Sequence, residues 1–324
     1  MKAFQFVRPR SASEAVASLV EHDGAVVKAS GIDLLDRMKE RVDEPGVVVG
    51  LVDVRGLDAV EMTDNGTLRV GAGATLATLA SHDAVRRFLP TLSEAAGLAA
   101  SPQLRHRATL GGNLAQHTRC GYYRLESFPC LKRGGDHCPV RKSGGVQETA
   151  ALFGNDPCAS AHPSSLAPVL GALDAVLEVE GPRGTREVPF AEVWATPKAG
   201  VASDLALASD ELIVSVEFPE RTGPQRFGYE EVRQKAAFDW PLVSCAVRLA
   251  LDGETVREAR IWLGSVAPTP WRALGAEDVL TGKSLSEARA AEAGEAAVVG
   301  ASPLDGNRYK LQLVKVCVRR ALAK

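Results

Sequence analysis

Apolar and polar positions alternate over Ala3–Val7, the period of a short strand. From Ser11 the period becomes helical (SASEAVASLVEH), with Ser11 at the cap and Glu14 as its box partner. Gly24 ends that helix, and Ala25–Ala29 (AVVKA) reads as a buried strand. The loop Ser30–Asp33 then leads into a second helical run, LLDRMKERVD. A loop between the C-terminal end of a strand and the N-terminus of a helix gathers free backbone N–H groups, which suits a phosphate.

Further along, VVVGLVDV and TLRVGAGAT read as strands, and TLATLASHDAVRRFLPTLSEAAGLA as one long helix. Ser165–Leu173 reads as a helix, Ala175–Glu180 as a strand, and ELIVSVEFP as a strand closing at Pro219. A polar hinge, ERTGPQR, separates this half from the rest, placing a domain boundary near residue 222. Beyond it, LVSCAVRLAL and REARIWLGSVA read as strands, and Leu285–Val299 and Arg308–Leu322 as helices. That pattern predicts an α+β module with an antiparallel sheet.

Composition narrows the classes. The chain is 324 residues long, 45% apolar and 24% charged, as expected of a soluble globular protein of about two domains. A net charge of −2 and 5% aromatic residues give no basis for a nucleic-acid or anionic-membrane partner. No apolar run suits a membrane span, and the N-terminal residues lack the apolar core of a signal peptide. The default expectation is a cytoplasmic protein.

Four of the six cysteines, Cys120, Cys130, Cys138 and Cys158, fall within 39 residues rich in Gly, Pro and charge. In a reducing compartment such a group points to a metal or cluster before disulfides. The intervening nine, seven and nineteen residues do not match the tight pairs of zinc ribbons or bacterial ferredoxins. Spacing alone leaves a four-thiolate iron–sulfur cluster and structural zinc, with His117, His137 or His162 as substitute ligands, on equal terms. Arg119, Lys132 and Arg133 lie close enough in sequence to offset thiolate charge, while Cys245 and Cys317 read as small buried hydrophobes.

Three loops carry the remaining candidate chemistry. Ala29–Leu34 (ASGIDL) is a small-polar-Gly turn that is equally common as plain structure. Residues 100–113 (ASPQLRHRATLGGN) combine Gly111-Gly112, which allow close backbone approach, with Ser101, Thr109 and Asn113 as hydrogen-bonding groups. Residues 158–168 (CASAHPSSLAP) join the last cysteine of the group to a helix capped by Ser164 or Ser165. No nucleophile elbow, Walker loop, zinc-protease motif or dinucleotide glycine fingerprint is present.

Taken together, MKAF, ASGIDLLDRMK, SPQLRHRATLGGNL, LGSVAPTPWRA (Leu263–Ala273) and YKLQLVKVCVRRAL (Tyr309–Leu322) resemble the FAD-binding subunit of the molybdenum hydroxylases, the xanthine dehydrogenase and aldehyde oxidoreductase family. TRCGYY, PCLKR, Cys138 and CASAHPSSLAP resemble the branch with an extra [4Fe–4S] cluster, closest to bacterial three-subunit aldehyde oxidoreductases and more distantly to 4-hydroxybenzoyl-CoA reductase. The resemblance implies an α+β fold: a two-subdomain, vanillyl-alcohol-oxidase-like FAD-binding domain over residues 1–221 (subdomains about 1–56 and 57–221, cysteine-bearing insertion 117–160), then a C-terminal domain over 222–324.

It also implies a site. Val26, Val27, Lys28, Ala29, Ser30, Gly31, Ile32, Asp33 and Leu34 would wrap the FAD diphosphate. Ser101, Ala108, Thr109, Gly112, Asn113 and Leu114 would line the flavin and its ribityl chain, with Ser164 and Ser165 completing the pocket, Ile213 and Arg233 at its rim, and Thr118 between the two cofactors. Cys120, Cys130, Cys138 and Cys158 would hold the cluster. Electrons would pass from a [2Fe–2S] small subunit through FAD to an external acceptor, while a molybdenum-cofactor large subunit oxidises the substrate, so no catalytic residue is expected on this chain. The chain departs from the family loop AGGTD at Ser30 and Ile32, and Ser165 stands where an aspartate is usual. Each hydrogen bond so lost is worth about 1 kcal/mol, so together they would weaken FAD by roughly one to three orders of magnitude. The rivals are a flavin-free cluster scaffold, a xanthine dehydrogenase or 4-hydroxybenzoyl-CoA reductase-like subunit, and a free-standing flavin oxidase stiffened by zinc.

Overall fold

The computed structural model describes residues 1–195, 203–220, 222–235 and 238–324. Three sheets organise the chain. The first is parallel, with order β1-β3-β2 (Gln5–Val7, Val47–Gly50 and Val26–Lys28). The second is antiparallel and five-stranded: β4 (Val60–Met62), β5 (Leu68–Gly71), β8 (Leu212–Phe218), β6 (Val176–Gly181) and β7 (Gly184–Pro189). The third, also antiparallel, runs β12-β11-β10-β9 (Trp271–Arg272, Thr255–Gly264, Val243–Asp252 and Gln225–Val232).

Local chemistry explains the element ends. The first helix, Ala12–Glu21, starts where the Ser11 hydroxyl accepts from the Glu14 N–H, but the Glu14 carboxylate accepts from the N–H of Arg10, one residue before the expected box partner. The long helix expected after β5 forms as three, Leu76–Ser81, Asp83–Phe88 and Pro90–Leu98. His82 between the first two is extended, and Leu89 leaves the helical region because Pro90 follows it. The helix after the first loop is short, Leu34–Lys39, with Arg41 already at φ +58. The sequence pattern does not give four of the strands (β4, β7, β9, β12) or the helices Pro102–Arg105, Leu110–Leu114, Gly121–Arg124 and Leu274–Leu280. Their patterns are short, charged or hinge-like, so periodicity alone gave no signal.

The cores interlock the units. Ala15, Val16 and Leu19 of the first helix pack with Leu212 and Val214 of β8. Tyr229, Ala246 and Trp262 of the third sheet join the core of the second. The cysteine-bearing segment is anchored largely to the C-terminal unit. Leu152 and Phe153 sit in that unit's core, the Phe153 ring stacks 4.6 Å from Trp271, and both backbone N–H groups donate to Val266 O. Cys245 and Cys317 are fully buried in the same core, as expected of small hydrophobes. The proposed boundary residue 221 lies outside the described residues.

Candidate functional site

The first and second loops face each other across a cavity of about 710 Å³, within the size range of small-molecule sites. β2 delivers the first loop, and the short helices Pro102–Arg105 and Leu110–Leu114 hold the second. Each helix is capped from the loop. Ser101 Oγ accepts from Leu104 N (3.3 Å) and Thr109 Oγ1 from Gly112 N (3.1 Å). A hydroxyl that accepts a cap bond keeps its own O–H, so both can still donate into the cavity.

Two glycines keep the gap open. Gly31 has φ +88, and a Cβ there would come within 2.8 Å of Lys28 Cε. A Cβ on Gly112 would lie 2.9 Å from Thr109 Oγ1 and 3.9 Å from Ala29 Cβ, intruding between the two loops. A Cβ at either position would narrow the cradle, and the residues that line it fit FAD.

Most of the expected residues converge here. Val27, Lys28, Ala29, Ser30, Gly31, Ile32, Asp33, Leu34, Ser101, Ala108, Thr109, Gly112, Asn113, Ser165 and Ile213 line the cavity. Five do not. Val26 is paired with Val48 in the parallel sheet, and Leu114 is buried in the core. Ser164 stands behind the wall, donating to Asn113 Oδ1 at 2.6 Å and accepting from Ala167 N. Asn113 is thus committed to tying the second loop to the third, its Oδ1 no longer free for a ligand. Thr118 Oγ1 donates to Ala161 O (3.2 Å) and accepts from Cys120 N, joining the two arms that carry Cys120 and Cys158. Arg233 donates to Leu98 O at 2.7 Å and pairs with Glu231, bracing the second loop from outside.

Sequence reasoning missed several wall residues. Leu51, Val54 and Leu57 floor the cavity from the loop after β3, and Phe238–Trp240 reach it from the C-terminal unit. Lys28 and Arg107 add positive charge, with no ion-pair partner for either among the described residues. Burial, then the charge of Arg107, pulls the Lys28 pKa down. Two like charges thus face one cavity, with the Lys28 ammonium 5.7 Å from the Phe6 ring centroid.

Asp33 joins this cavity to the cysteine segment. Its carboxylate meets Arg37 (3.2 Å), Arg119 (3.0 Å) and Arg124 (2.6 Å) and accepts from His117 N (3.1 Å). Burial opposes its charge, yet Arg119, Arg124 and Arg37 hold its carboxyl below the usual range. The basic residues expected to offset thiolate charge are mostly engaged elsewhere: Arg119 with Asp33 and Gln116, Lys132 with Asp204 (2.5 Å), Arg133 with the carbonyls of Leu125 and Phe128.

All four cysteines of the segment are free thiols. Burial raises the pKa of Cys120 and Cys130, and both feel Cys158. Cys138 is pulled down by the Cys158 thiol donating to it, and Cys158 is pushed up in turn. Among the described residues no three of His, Cys, Asp and Glu are grouped as ligands of a metal ion. Of the three histidines named as substitutes, His117 stacks on Tyr123 beside Asp33, and the other two are engaged elsewhere. His137 pairs with Asp136, and His162 is buried against Trp194, with burial holding its pKa down at about 4. No helix among the described residues is long and apolar enough to cross a membrane.

Comparison with known proteins accords with this geometry. The profile described as "FAD binding domain in molybdopterin dehydrogenase" matches residues 2–221, and "CO dehydrogenase flavoprotein C-terminal domain" matches 227–324. The chain is 37% identical to the aldehyde oxidoreductase FAD-binding subunit PaoB of Escherichia coli, over 100% of this chain and 98% of that protein. It is 28% identical to the nicotine 6-hydroxylase medium subunit of Paenarthrobacter nicotinovorans, over 100% and 98%. A solved carbon monoxide dehydrogenase of Hydrogenophaga pseudoflava contains a chain that superposes with TM-score 0.77 at 29% identity, over 99% of this chain and 96% of that one.

Proposed function

On the footing that the chain belongs to the family of FAD-binding subunits of molybdenum hydroxylases, we propose that it serves an aldehyde oxidoreductase of that type. Its part is electron transfer. Bound FAD supplies the redox chemistry. The chain's residues bind and orient it: the first loop and the Lys28–Arg107 charges at the diphosphate, the second loop and Ser165 along the ribityl and ring. The cavity where those loops meet is the observation that carries the reading. The partners in this reading are a molybdenum-cofactor large subunit and a [2Fe–2S] small subunit, with an external acceptor taking the electrons. The FAD-binding domain would end near residue 221 and the C-terminal domain begin at 222.

A [4Fe–4S] cluster on Cys120, Cys130, Cys138 and Cys158 belongs to the same proposal. It is supported by the donor set, four free thiols, and by Thr118 binding together the arms that carry two of them. The test is an ultraviolet–visible spectrum of anaerobically purified protein, with iron, zinc and flavin measured on one sample. Flavin bands over a broad shoulder, with about four irons and one FAD per chain, are expected. Iron without flavin, unrestored by added FAD, would replace the reading with a cluster-bearing scaffold. Flavin with no iron would retire the cluster alone.

A further inference from the structure

One wall of the cavity, formed by Ser203, Leu205, Leu207, Ala208 and Ser209, belongs to no helix or regular strand. A segment without a ladder of its own keeps a single position only through ties that reach it from elsewhere. Two backbone hydrogen bonds tie it to residues 193–195: Ala195 N donates to Asp204 O (3.1 Å) and Ala206 N to Val193 O (2.8 Å). Leu205 also pairs with Trp194 in an isolated antiparallel bridge. Leu205 and Leu207 pack against the core around the second sheet, and such apolar contact is not directional.

A side-chain tie supplies the direction. Lys132 Nζ donates to Asp204 Oδ1 at 2.5 Å, with the two side chains only 3% and 11% exposed. Neither residue lines the cavity. Lys132 stands in the short helical turn Leu131–Arg133 that follows Cys130, so a contact across 72 positions joins the cysteine-bearing segment to the back of the wall. Burying both charges is costly, and an apolar pair of similar volume would serve stability as well or better. What the ion pair adds is a fixed geometry, because each buried charge is satisfied only where it meets the other.

Resting on the FAD reading above, we infer that Lys132 is a positioning residue for the cofactor: through Asp204 it holds the 203–209 wall in the place against which FAD packs. The cysteine-bearing segment thereby acts on the cavity from behind, whatever its thiols hold. FAD affinity then depends on a side chain that does not face the ligand, which is a coupling between two places through one shared segment.

The experiment titrates FAD into the full-length chain stripped of flavin, as the wild type, Lys132→Met/Asp204→Leu and Lys132→Arg. Affinity is followed by calorimetry, and the melting temperature and the visible circular dichroism of the bound flavin are recorded for each. The double variant removes both charges together, so no ion is left buried alone and the protein should melt close to the wild type. It also keeps every cavity-lining side chain. Its FAD affinity is nonetheless expected to fall roughly tenfold, within the usual range for such couplings, and its flavin dichroism to change with the altered wall. A pair with a merely structural role would leave both readouts where they were. Lys132→Arg keeps a charge that reaches Asp204 and should recover most of the affinity. Wild-type affinity or wild-type dichroism in the double variant overturns the inference and leaves the FAD reading intact. A loss in Lys132→Arg as large as in the double variant overturns it too. A wild type that binds no FAD sinks the functional reading, and the inference with it.

Discussion

Arg124 Nη2 lies 2.6 Å from Asp33 Oδ1, a contact between residues 91 positions apart that ties the first loop to the cysteine segment. Arg37 and Arg119 share the same carboxylate, which is largely buried. Removing the charge leaves three arginines competing for the partners that remain. Asp33→Asn is expected to cost about 3–5 kcal/mol, the usual penalty for breaking a buried pair, read as a fall in urea midpoint and as loss of retained FAD. The pH sign follows from the depressed carboxyl pKa. The Asp33 contribution is complete above the unfolded value of 3.8 and is lost as pH falls below it towards the folded value. The variant should lack that acid-side loss, and an identical acid limb in both proteins would sink the assignment.

Gly112→Ala tests the cradle. The new Cβ would meet Thr109 Oγ1 at 2.9 Å, disturbing the cap that shapes the second loop. Loss of such a cap costs about 1 kcal/mol, and intrusion into the cavity adds to it, so FAD affinity should fall about tenfold or more. Gly46→Ala, whose Cβ meets nothing within 4 Å, serves as the control and should bind FAD normally. Equal affinities in the two variants would show that the gap between the loops is not where FAD lies.

Much of this site was legible in the sequence because it is made of local loops. Gly31, Thr109 and Gly112 carry their turn chemistry in their own few residues, and the structure brings them together at the cavity. What was not legible depends on long-range packing. Trp240 precedes β10, whose pairing with β9 is a long-range feature, and Arg119 becomes part of the wall only through Asp33, 86 positions earlier. Ser164 is expected to complete the pocket and Thr118 to lie between the two cofactors, and neither lines the cavity. Their side chains turn instead to join loops behind the wall, a choice set by Asn113 and Ala161. The single long helix expected over 75–99 failed for a local reason that was visible, since Pro90 restricts the residue before it.

The unpaired cations give a salt-dependent prediction. Lys28→Gln or Arg107→Gln should each weaken FAD by about tenfold at low ionic strength, a charged contact being worth about 1.5 kcal/mol, and leave riboflavin unaffected. The difference between each variant and the wild type should shrink as salt is added, because both groups border an open cavity. Equal FAD binding by variants and wild type at low salt would remove these residues from the phosphate site.

Lys310 supplies a prediction about how the cysteine segment is held. Its ammonium is buried and donates to Ala150 O (3.0 Å), Thr149 O (3.5 Å) and Ser265 O (2.6 Å), pinning the far end of the segment to the C-terminal unit. Burial pulls its pKa down to about 7, against 10.5 for the free side chain. Between those values the unfolded chain holds a proton that the folded chain lacks, so this residue makes stability rise with pH from about 7 towards 10.5 and adds no pH dependence well below 7, where both states are protonated. Lys310→Met removes the titration along with the three hydrogen bonds. The stability gap between wild type and variant, measured by urea unfolding, should therefore widen in favour of the wild type between pH 7 and pH 9.5. A gap that stays constant over that range would mean the ammonium keeps its charge in the fold, stabilised by its three carbonyl acceptors despite burial.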